Sequence, residues 1–209
     1  NSILSSGTSN FVASGAIPNG VTVALRSDGK VEVVEEVTPA NVVGTDEIYN
    51  SSNHTYDVAT AFDPTSNKVL IAYRDDGNSE KGTVVIGTVS GTDITFGSEI
   101  IFNDSQTGNS YGIAMAVDTN VNKVAFFYRD YGNNQYLTAK IGTISGSSMT
   151  FGSPVLVAPI SNQVGRIGYN LNAVFIPTWT NDIVLVYSDN SNSGYGTAIV
   201  GTISGTSIT

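Results

Sequence analysis

"KVLIAYRDDGNSEKGTVVIGTVSGTDITFGS" (residues 68–98) and "KVAFFYRDYGNNQYLTAKIGTISGSSMTFGS" (residues 123–153) agree at 17 of 31 positions without a gap, 55 residues apart. A third copy, "DIVLVYSDNSNSGYGTAIVGTISGTSIT" (residues 182–209), follows at a further 59, counted from Tyr128 to Tyr187. The four added residues fall in the loop region 158–170, where insertions are tolerated. Ahead of the first full copy, "VGTDEIYNSSN" (residues 43–53) resembles "FGSEIIFNDSQ" (residues 96–106), so a partial copy precedes it. A period of about 40 to 60 residues carrying several strands points to propeller blades or a similar β-array.

Each unit divides into four strand-like segments. The first, "YDVATAFD" or "YGIAMAVD", alternates small and larger residues, with Ala59 and Ala61 matched by Ala114 and Ala116. Small residues suit an innermost strand, where blades converge. The second, "KVLIAY", "KVAFFY" or "DIVLVY", is apolar on both faces and therefore calls for cover on both sides. The third is "GTVVIGTVS" or "TAKIGTIS". The fourth, "ITFGSEIIF" or "MTFGSPVLV", is expected as an edge strand, since Pro154 lies in it. Asx-rich turns such as "RDDGNSEKG" join the second and third segments, and "SGT" or "SGS" makes the hairpin between third and fourth.

The expected architecture is all-β: a propeller-like array of four-stranded antiparallel blades, preceded by a small β-hairpin module. The lead-in is residues 1–42, where "VTVALRSDGKVEVVEEV" alternates about the hairpin signal Asp28-Gly29. The array is residues 43–209, with a partial blade at 43–53 and repeats at about 54–108, 109–163 and 164–209. The last copy stops before its fourth strand. That strand is expected from residues 43–50, from another chain, or from a longer natural protein, the last being the favoured reading.

Composition narrows the function classes. Nine Lys+Arg against 18 Asp+Glu give a formal net charge of −9, which repels a phosphate backbone. Nucleic acid is therefore not an expected partner. No apolar run approaches the roughly 20 residues of a membrane-spanning helix, so membrane insertion is not expected. There is no cysteine, which removes disulfides, thiolate metal sites and cysteine nucleophiles.

Catalytic constellations are equally hard to assemble. His54 is the single histidine, lies in the polar stretch "SSNHTYD", and reads as a solvated loop residue. Its triplet "NHT" also fits a glycosylation acceptor pattern. No G-x-S-x-G motif occurs. Asp75, Asp130 and Asp189 hold equivalent turn positions, as do Asp63 and Asp118, so architecture explains them before acid–base chemistry does. Glu80 and Asp93 have no counterpart in the sister repeats but lie in surface turns. "DTNVN" (118–122) and "DNSNSG" (189–194) space oxygen ligands as calcium loops do, without the closing glutamate. No enzyme activity, metal or cofactor is expected.

Binding residues are easier to nominate. Arg74 and Arg129 are equivalent, with Ser188 in the third copy. Tyr131 and Tyr195 lie in turns, and Trp179, the only tryptophan, lies in the divergent loop. Aromatic rings beside Arg, Asn and Asp can stack on a sugar and hydrogen-bond its hydroxyls.

The phrase "AYRDDGNSEKGTVVIGTVSGTDITFGSEIIFN" resembles repeats of structural and fibre-like proteins of marine bacteriophages. The lead-in "ASGAIPNGVTVALRSDGKVEVVEE" is similar to the segment that often precedes them. The two patterns cover residues 11–209. The resemblance implies a non-enzymatic virion surface protein (tail fibre, spike or capsid decoration) that displays loops for adhesion to a host-surface glycan. Its implied partners are other virion proteins, copies of itself and that glycan. A propeller glycan-degrading enzyme and a secreted bacterial lectin or adhesin are the alternatives.

Overall fold

The computed structural model describes residues 11–34, 43–51, 53–107, 112–157, 168–177, 181–189 and 192–209. The chain divides into two compact units, Asn1–Val42 and Val43–Thr209.

In the first unit, β2 (Val23–Leu25) pairs antiparallel with β3 (Lys30–Val33). The turn between them has Gly29 at φ +79°, and the Asp28 carboxylate accepts the Lys30 N–H at 3.1 Å. The expected hairpin is thus present. It carries a third strand, β1 (Val12–Ala13), parallel to β3.

The second unit holds three sheets. The first is β4 (Thr55–Asp63), β5 (Lys68–Asp75), β6 (Lys81–Ser90), β7 (Asp93–Phe96) and β8 (Ile100–Gln106). The second is β9 (Ile113–Asp118), β10 (Lys123–Asp130), β11 (Tyr136–Ser145), β12 (Ser148–Phe151) and β13 (Val155–Leu156). The third is β14 (Gly168–Ile176), β15 (Asp182–Asp189), β16 (Tyr195–Ser204) and β17 (Ser207–Ile208). Each is an antiparallel meander in chain order. The repeat extends to register: Tyr73 faces Thr83, Tyr128 faces Thr138 and Tyr187 faces Thr197.

The fourth segment departs from expectation. It is two short strands, and both lie on the same neighbour: β7 and β8 on β6, β12 and β13 on β11. Between the pieces the chain steps, with the Gly97 and Gly152 N–H groups donating to the Ile86 and Ile141 carbonyls. Pro154 falls in the step, where no ladder bond is required of it.

The three sheets are open and do not close into a barrel. They stand side by side, with β9 packed against both β4 and β14. Two apolar seams result. The first joins Leu70, Ala72, Val84, Ile86 and Phe102 to Val124, Phe126 and Tyr128. The second joins Ala125, Phe127, Ala139 and Ile141 to Ile183, Leu185 and Tyr187. Both faces of β10 are therefore buried, which is why "KVAFFY" alternates nothing. Sizes are redistributed between the seams. Leu70, Ala72 and Phe126 meet in the first, and Ala125, Phe127 and Leu185 in the second, so each position changes while each seam keeps its volume.

Residues 43–51 form no strand. They lie on the face of the first sheet, where the Tyr49 ring meets Tyr73 at 5.3 Å and Phe96 at 6.1 Å. They do not join β16, as one sequence reading allowed. They occupy the place that each repeat tail takes on the sheet after it. The Asn50 amide donates to Asp75 at 3.1 Å, as that of Asn103 does to Asp130 at 3.4 Å. Gly44, Gly97 and Gly152 each abut the hairpin turn of that following sheet, at Thr92, Ser147 and Thr206.

Three equivalent tyrosines are buried, Tyr128 in the first seam, Tyr187 in the second and Tyr73 under Tyr49 on the outer face of the first sheet. Burial raises the hydroxyl pKa of Tyr73, Tyr128 and Tyr187, with additional repulsion from Glu99, Asp130 and Asp189 respectively. The folded state thus holds the neutral phenol while the unfolded chain ionises near the ordinary tyrosine value of about 10. Their contribution to stability is complete below that pH and is lost as pH rises above it. Fully suppressed ionisation at pH 12 corresponds to about 2–3 kcal/mol for each of Tyr73 and Tyr128. Denaturant titrations from pH 8 to 12 are expected to show this loss, with late tyrosinate absorbance appearing only on unfolding. Ordinary ionisation of all ten tyrosines in the folded chain would contradict it.

Candidate binding face at the turn end of the sheets

The β5–β6, β10–β11 and β15–β16 turns emerge at the corresponding end of each sheet. Their scaffolds are built alike. Asp75 and Asp130 precede short 3₁₀ turns, Asp76–Asn78 and Tyr131–Asn133, and their carboxylates accept the Gly77 and Gly132 N–H groups at 3.0 and 2.9 Å. Asp130 also accepts the Ser105 hydroxyl. Through Oδ1 each aspartate caps its turn and also accepts from an amide, Asp75 from Asn50 and Asp130 from Asn103. Asp118 is likewise a turn residue, accepting the Asn120 N–H at 2.9 Å.

Arg74 lies beneath the first turn with its side chain only 8% exposed. Its Nε faces Asp57 at 3.4 Å and its Nη1 faces Glu80 at 3.2 Å. The Tyr56 ring covers the guanidinium at 4.5 Å, and His54 stacks beyond it at 6.2 Å. Asp57 reaches Arg74 because β4 bulges between Tyr56 and Ala59, holding Asp57 at φ +53°. Gly112 takes that left-handed position in the second repeat at φ +83°.

Arg129 is buried in the same manner beneath the second turn, its Nη2 donating to Gln135 and its guanidinium 5.0 Å from the Tyr131 ring. In the third sheet Ser188 replaces the arginine and donates to the Gly194 carbonyl at 3.0 Å. Tyr195 projects beside it, 65% exposed. Trp179 lies outside the described residues.

The nominated residues therefore separate into two layers. Arg74 and Arg129 are internal supports, each under an aromatic ring, while Tyr131 and Tyr195 reach the outer layer. Tyr56 belongs to that layer too and was not nominated from the sequence, and His54, read there as a solvated loop residue, lies beside it with its side chain 77% exposed. The signal was the spacing that sets Tyr56 opposite Arg74 in the β4–β5 register. A polarised ring above a cation, next to turn carbonyls and Asn side chains, is chemically suited to stacking on the apolar face of a sugar. Among the described residues no group of three or more His, Cys, Asp or Glu is placed to hold a metal ion. No protein-family model matches the chain, and no curated protein matches it.

Proposed function

We propose that the three sheets are consecutive blades of a propeller-like array and that the chain is a non-enzymatic virion surface protein. In this reading it is a tail fibre, spike or capsid decoration, and the turn end of its sheets adheres to host-surface glycan. The observation that carries the reading is a ring over each buried arginine, Tyr56 of β4 on Arg74 and Tyr131 of the turn on Arg129, beside turns in which Asp75 and Asp130 accept the Gly77 and Gly132 N–H groups. Such a platform is rigid before a ligand arrives, which lowers the ordering cost of binding. The bacteriophage repeat resemblance supports the location, and the use of Asp75 and Asp130 in turn capping supports a binding role over a hydrolytic one.

Whole-cell and glycan-array binding test it. Tyr131→Ala and Tyr56→Ala are each expected to weaken binding by about tenfold, equivalent to about 1.4 kcal/mol. Tyr195→Ala probes the third turn in the same assay. Undiminished binding in all three sinks the glycan reading. New reducing ends released from host polysaccharide would instead reveal a degrading enzyme.

A further inference from the structure

Repeat equivalence shows what each sheet face is built to meet. On β9, Ile113 and Val117 are buried against the first sheet. Their counterparts on β4, Val58 and Phe62, are 49% and 53% exposed. At the other end, Ala116, Phe127 and Ile141 are buried against the third sheet. Their counterparts on that sheet, Val174, Val186 and Val200, are 58%, 43% and 65% exposed. The array thus ends in two apolar faces, one of the kind that inserts and one of the kind that receives.

A hydrogen-bonding edge repeats the same pattern. Thr83 and Val84 of β6 pair with Ile101 and Ile100, and Thr138 and Ala139 of β11 pair with Leu156 and Val155. The corresponding Thr197 and Ala198 of β16 have no strand on that side among the described residues. They line a surface groove with Val186 and Gly196. The residues equivalent to Ile100 and Ile101 in the partial copy are Glu47 and Ile48, which carry no strand pairing of their own, and Ile48 is exposed.

We propose that the open face of the third sheet receives the first sheet of a second copy of this chain. In that contact Val58 and Phe62 of one protomer pack on Val174, Val186 and Val200 of its partner. Glu47 and Ile48 add as a short strand to β16 at Ala198 and Thr197. The contact is head-to-tail, so it closes only as a ring. The proposal rests on the blade reading: two copies of the three described sheets give six, within the four to eight blades of propellers. The acceptor is the chain itself because the two internal seams already join sheets of this sequence through the same positions.

Sedimentation of the full chain at micromolar concentration tests it. Wild type is expected to run at twice the chain mass. Val200→Glu and Phe62→Glu, both at exposed positions and checked for retained β-sheet circular dichroism, are each expected to run as single chains. An equimolar mixture of the two variants regains a dimer, since one receiving face and one inserting face remain intact between them. A single-chain wild type, a ladder of larger species, or a Phe62→Glu variant that still dimerises overturns the proposal. Glycan binding by the single-chain variants is scored separately, so loss of assembly and failure of the adhesion reading are told apart.

Discussion

Phe126→Ala is expected to cost about 3–5 kcal/mol of unfolding free energy, measured by urea denaturation followed by circular dichroism. The ring is fully buried in the first seam, stacked on Phe102 at 5.0 Å and edge-on to Phe151 at 5.6 Å. It sits mid-strand with neighbours on both sides, at a seam between two sheets that each have a second face to defend. The site cannot collapse without shifting one sheet against the other, so the cavity term adds fully to the transfer term. Phe102→Ala removes the opposite wall, and a double-mutant cycle between them should show strong non-additivity. A loss below about 1.5 kcal/mol for Phe126→Ala, in the range of volume-conserving swaps, would mean that the seam is loosely packed.

The second large effect is Gly152→Ala. A methyl group at this position would lie 2.0 Å from the Thr206 carbonyl oxygen, which belongs to the turn of the next sheet and has no flexible end to yield. Backbone must move, and the β16–β17 hairpin must lift from the second sheet. The expected loss is about 3 kcal/mol, toward the upper end of overpacking effects. Faster amide exchange confined to β16 and β17 would accompany it. Gly97→Ala is the matched control, because its methyl group would stand 3.1 Å from the Ser147 Cβ and 3.2 Å from its carbonyl. A few tenths of an ångström of give accommodate it, so its loss should be well under half that of Gly152→Ala. Equal effects at the two positions would refute the argument from close approach.

The contrast shows which features a sequence can display. β5 and β10 were legible because burial on both faces leaves an unbroken apolar run, and the turns because Asp75 and Asp130 must cap their own backbone. The split of the fourth segment was not legible. At the step Gly97 and Gly152 meet the turn of another sheet, at Ser147 and Thr206, and nothing local in the sequence marks that approach. At the turn end, Arg74, Arg129 and Tyr131 could be found by comparing repeats. Their layering could not, since it depends on Asp57 adopting a left-handed conformation in a β-bulge. Only Gly112, at the matching position, hints at that conformation. Tyr56 escaped because its partner lies across the sheet rather than along the chain.

The redistribution of side-chain size between the two seams has a genetic consequence. A tandem duplication of the middle unit would set Ala125 and Phe127 against a second Phe126, overfilling the new seam. Duplicating the first would set Leu70 and Ala72 against Ile71, leaving it short of bulk. The three units descend from one pattern but are no longer spare parts for one another. Their order is keyed, and lengthening the protein by copying would require a compensating substitution at each new junction.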